Sequence, residues 1–80
     1  MMAREGDIKA AFMAAMRREP GLGVIVRTQE FVHQLELVNW HFSLREANQW
    51  IKANTATFRD ASTHEGEAKT YRQFNPNGGI

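Results

Sequence analysis

Arg45, Asn48, Gln49 and Lys52 fall at i, i+3, i+4 and i+7, the spacing that gathers side chains on one side of a helix. A guanidinium offers a fork of donors, and the Asn and Gln amides offer donors beside an acceptor. Such a face can lie on nucleic acid, meet another protein, or simply be wet, since mixed polar faces are ordinary on surface helices. No other residue set has the spacing of a reactive centre. His33, His41 and His64 are the only histidines, cysteine is absent, and no H-E-x-x-H pattern occurs. His33 and His41, eight positions apart, share no helical turn, so a metal site is not expected. Ser43 has no assured base, because His41 two positions earlier cannot be taken to reach it. Glu65 and Glu67 sit in a turn-like stretch where nothing raises a carboxylate pKa. "GLG" at 21–23 lacks the spacing of a phosphate-binding loop. An enzyme, a cofactor and a small-molecule substrate are therefore not expected.

The elements that position the stripe follow from periodicity and punctuation. "REGDIKAAFMAAMRRE" (4–19) places Ile8, Phe12, Ala15 and Met16 on one helical face. Glu5 and Asp7 stand at its positive end and Arg17 and Arg18 at its negative end, and Pro20 and Gly21 stop it. "GLGVIV" (21–26) reads as a brief strand. Thr28 is placed to cap a helix of about 10 residues in which Phe31, Leu35 and Val38 share a face. "NWHF" is too short for anything but a tight corner. Ser43 and Glu46 form a capping box in front of "LREANQWIKAN", whose Leu44, Ala47, Trp50 and Ile51 point inward. "TATFRD" (55–60) and "AKTYRQF" (68–74) alternate at period two and read as a hairpin around "ASTHEGE". "NPNGGI" (75–80) is expected to end as loose chain.

Eighty residues make one domain at most, with a core that supplies ~3–5 kcal/mol unaided and leaves room for a dimer. The 42% hydrophobic and 24% charged composition is that of a globular chain. The longest apolar run, "AAFMAAM", has seven residues against the ~20 of a membrane span. "MMAREGDIK" makes a poor secretory signal, and the missing cysteines fit a reducing compartment, so a cytoplasmic setting without membrane contact is expected. The net charge of +1 divides as +2 over residues 1–27, −2 over 28–44 and +1 over 45–80, and no stretch is a basic arm.

Helix, short strand, helix, tight turn, helix and hairpin, in that order over residues 4–74, resemble the winged helix-turn-helix superfamily. The fold class implied is α+β: three helices, a short strand and a C-terminal hairpin. The compact size and the "FNPNGG" ending also resemble small early-region regulatory proteins of enterobacterial prophages. The resemblance implies transcription regulation through double-stranded DNA, with the 44–53 helix in the major groove. Carried over position by position, Arg45, Asn48, Gln49 and Lys52 would meet base edges and phosphates, Asn and Gln favouring adenine and Arg guanine. The 57–74 hairpin would be the wing, with Lys69 and Arg72 on phosphates. Arg27, Thr28 and Gln29 would meet the backbone where the second helix starts.

The chain departs from that pattern in charge. The second helix carries Glu30 and Glu36 without Lys or Arg, the wing tip carries Glu65 and Glu67, and +1 is well short of a strongly basic footprint. These departures favour an alternative: a protein-interaction module that binds and inhibits a repressor or host factor, in the manner of an antirepressor. Trp40 in the corner is an interface type, whereas Trp50 on the apolar stripe is a core type. The first helix has more Ala/Met surface than one stripe needs, so Phe12, Met13 and Met16 are candidate contacts of a homodimer.

Overall fold

Ile8, Ala11, Phe12 and Ala15 recur at helical spacing, and all four are buried. The computed structural model of the chain describes residues 5–75 and 80, and there helix α1 runs over Glu5–Ala14. The helix expected through residue 19 thus ends five residues early. Arg17–Glu19 instead forms strand β1, antiparallel to β2 (Gly23–Arg27). The turn between them needs positive φ at Gly21 (+80°) and Gly23 (+79°), a region that glycine enters without steric penalty. Pairing across a turn leaves no trace in a 3.6-residue pattern, so periodicity alone does not mark where α1 gives way to β1. The cation still serves the helix end: Arg17 donates from Nη1 to the carbonyls of Ala14 and Met16, both at 2.8 Å.

Helix α2 (Thr28–Leu37) follows β2 directly. Its N-cap is Arg27, which makes no side-chain cap; the capping role expected of Thr28 is not observed, because its buried hydroxyl bonds elsewhere. The C-terminus closes with a Schellman pattern. Trp40 N–H donates to Leu35 O (2.9 Å) and Asn39 N–H to Glu36 O (3.1 Å), with Asn39 left-handed at φ 67°. This corner turns the chain into α3 (Leu44–Asn54). The expected capping box is present: Glu46 N–H donates to Ser43 Oγ (3.1 Å) and Ser43 N–H to Glu46 Oε1 (2.9 Å).

Strands β3 (Phe58–Asp60) and β4 (Thr70–Gln73) complete a four-stranded antiparallel sheet in the order β1-β2-β4-β3. Val26 faces Tyr71 across the ladder, and both join Phe58 in the core under the helices. Phe12 is its hub, with ring centroids 5.4 Å from Phe31, 5.0 Å from Phe58 and 5.7 Å from Trp50. Alternation along the strands turns Arg59 and Arg72 to the opposite face. Of the tail expected to be loose, residues 76–79 lie outside the described residues, and Ile80 packs against the core. Among the described residues no helix is long and apolar enough to cross a membrane.

Candidate nucleic-acid interface

Helix α3 turns Ala47 and Ile51 inward and leaves Arg45, Gln49 and Lys52 exposed. Those three border a shallow cleft whose other wall is the 61–69 connection, through Gly66, Glu67 and Lys69. Asn48 does not belong to the exposed stripe. It is 4% exposed and all its hydrogen-bonding capacity is used inside the protein, which corrects its assignment as a base reader. Its position at the edge of the apolar face, between Ala47 and Ile51, carries the side chain inward.

Asn48 is the centre of a buried polar network. Its Oδ1 accepts from the Thr28 hydroxyl (2.7 Å) and the Tyr71 hydroxyl (3.0 Å). Its Nδ2 donates to the Glu67 carbonyl at 2.7 Å and to Glu67 Oε2 at 3.3 Å. Thr28 Oγ1 in turn accepts from Lys69 N–H (3.1 Å), and Thr28 N–H donates to Lys69 O (2.9 Å). One amide therefore ties α3 to α2, to β4 and to the 61–69 connection. Thr28, expected at the surface on a DNA backbone, is fully buried in this network. Burial, with the charges of Asp60 and Glu67 adding to it, pushes the Tyr71 phenol up to about 12.

The connection is braced at further points. Ser62 Oγ accepts from Thr70 N–H (2.8 Å), and Ser62 N–H donates to Asp60 Oδ1 (2.9 Å). His64 Nε2–H donates to the Ala68 carbonyl at 2.6 Å. The bonds from Ser62, joined by Lys69, hold the Asp60 carboxyl below its usual range. Lys69 Nζ lies 3.4 Å from Asp60 Oδ2, so its charge is partly neutralised. Glu65 and Glu67 are exposed in this connection, and Glu67 lines the cleft.

The remaining candidates divide. Gln29 is exposed in the first turn of α2, and Arg27 is exposed but lies 3.4 Å from Glu19 Oε1. Arg72 faces away from the α3 cleft: it pairs with Ile25 and Arg59 across the sheet and borders a different concavity. Its grouping with Lys69 as a second phosphate contact is not seen: Lys69 lines the α3 cleft from the 61–69 connection, while Arg72 stands within β4 and borders the other concavity. Among the proposed dimer contacts, Phe12 is fully buried and Met16 half-buried, while Met13 is 54% exposed. The core claims Phe12, so it presents no surface. Trp40 is half-buried against Phe42 (5.9 Å between centroids) and the core, with its indole nitrogen buried and unpartnered among the described residues. Trp50, 5.4 Å from Phe31, packs as expected.

Sequence reasoning missed Tyr71, Gly66 and Glu67 as parts of the site. A faint signal existed in Asn48, a poor helix former in mid-helix, which implies a side chain held by tertiary bonds. The shorter bond to Glu67 goes to its carbonyl, which any residue supplies, and its carboxylate adds only the longer contact at 3.3 Å, so no residue type announces it. No family model, curated protein or solved structure matches the chain.

Proposed function

We propose that this chain is a winged-helix domain that regulates transcription by binding duplex DNA, with α3 in the major groove and the 61–69 connection as wing beside it. The observation that carries the reading is the cleft in which Arg45, Gln49 and Lys52 stand exposed on a capped helix, next to a loop pegged to that helix through Asn48. Three helices and the strand order β2-β4-β3, extended by β1 at one edge, suit that architecture. In this reading Gln49 and Arg45 read base edges, Lys52 meets phosphate, and Asn48 fixes the angle between helix and wing. Rigid elements hold base-reading groups better than a free loop does.

Replacing Arg45 with alanine is expected to weaken duplex binding by about 1–3 kcal/mol, most strongly on the preferred sequence, and Lys52→Ala to weaken it evenly across sequences. Unchanged affinity in the double variant refutes the assignment.

A second reading rests on Glu67, exposed on the loop wall of the same cleft, and Glu65, exposed in the same loop. There the surface engages a protein, a repressor or host factor that it inhibits. A complex of that kind persists in about 0.5 M salt, where exposed charge attraction is screened.

A further inference from the structure

The outer face of the sheet carries a feature that DNA binding through α3 does not use. Arg59 and Arg72 are directly opposed on β3 and β4, and like charges in that relation destabilise a sheet. Neither is relieved by an acid: among the described residues Arg18, Arg59 and Arg72 make no ion pair. Asp60, the one carboxylate among the described residues that line the concavity between them, is engaged by Lys69 and Ser62, and Glu19 beside Arg18 is engaged by Arg27. The three arginines border one concavity of about 480 Å³ with Leu22, Val24 and Phe74. Leu22 and Phe74 are large apolar residues left 40% and 51% exposed. Arg59 is already poised there, its guanidinium 4.3 Å above the Phe74 ring, a geometry that orders the fork and partly strips it of water.

We propose that this groove docks an acidic peptide segment of a partner protein, with carboxylates on the three arginines around an apolar anchor laid between Leu22 and Phe74. Guanidinium forks match carboxylates in bidentate geometry, and the volume admits a few side chains. A second copy seated here by two-fold symmetry sets arginines against arginines. A nucleic-acid strand asks for successive aromatic platforms, and the groove has one ring with a guanidinium over it. The proposal is independent of the DNA reading.

Selection of a random dodecapeptide display library on the immobilised chain tests it, followed by anisotropy of the dye-labelled winners. The expected winners carry several Asp or Glu around a bulky apolar residue. They bind Arg18→Glu/Arg59→Glu at least about tenfold more weakly and lose affinity with Phe74→Ala, while both variants stay folded and the double-arginine variant melts no lower than the wild type, since Arg59→Glu removes the like-charge pair with Arg72. No enrichment, neutral or basic winners, or winners that bind the double-arginine variant equally well overturn the proposal. So does a single-stranded RNA dodecamer that displaces the peptides and binds through the same arginines.

Discussion

Replacing Asn48 with alanine removes three close hydrogen bonds at once: from Thr28 at 2.7 Å, from Tyr71 at 3.0 Å and to the Glu67 carbonyl at 2.7 Å. At a net ~1 kcal/mol each the loss is about 3 kcal/mol, and the Tyr71 hydroxyl left without its acceptor pushes it towards the upper end. In a domain of this size each kcal/mol moves the melting temperature by about 4–8 °C, so a fall of about 12–24 °C is expected. Thermal denaturation by circular dichroism reads it, and hydrogen exchange should show faster opening of residues 61–69 than of α1. A cycle with Tyr71→Phe isolates the network: the double variant should lose about 1 kcal/mol less than the sum of the singles, because the orphaned hydroxyl is then gone. A fall below about 4 °C, or strict additivity, refutes the claim that this amide pegs the 61–69 connection to α3.

Tyr71 is the sole tyrosine, so phenolate absorbance titrates one site. With its folded pKa raised from 10.0 to about 12, the neutral phenol's stabilisation is full below pH 10 and is lost as pH rises towards 12. A midpoint near 10 in a chain still folded by circular dichroism contradicts this. Ser43→Ala should cost about 1 kcal/mol through loss of the capping box, read as a melting shift of about 4–8 °C. An unchanged melting temperature contradicts that account of Ser43. If α1 supplies a dimer contact through exposed Met13, Met13→Glu should halve the mass measured by light scattering. The same mass in wild type and variant removes Met13 from that role.

The local signals in the sequence carried well. The Ser43/Glu46 box, the apolar faces of α2 and α3 and the alternation of β3 and β4 each depend on residues close in the chain, and the structure has all of them. Contacts made across the fold were not legible. Arg17–Glu19 pairs with β2 because two glycines reverse the chain, and that pairing overrides the helical pattern before it. Asn48 fits both faces of α3 by spacing, and only the arrival of Tyr71 and the Glu67 carbonyl decides that it turns inward. Arg72 and Lys69 look equivalent along the chain, but β4 begins at Thr70, which leaves Lys69 in the connection that lines the α3 cleft and Arg72 within the sheet opposite Arg59.

The central claim is that the α3 cleft binds duplex DNA, and salt dependence tests it most directly. Arg45 and Lys52 are exposed on the cleft, and Lys69 lines it in a partly neutralised pair, so about two to three phosphates should be neutralised. Anisotropy of a random-sequence duplex is then expected to show affinity falling about 10- to 40-fold between about 50 and 200 mM salt. Flat anisotropy at both salts, or affinity indifferent to salt, contradicts the account and moves the cleft to a protein partner.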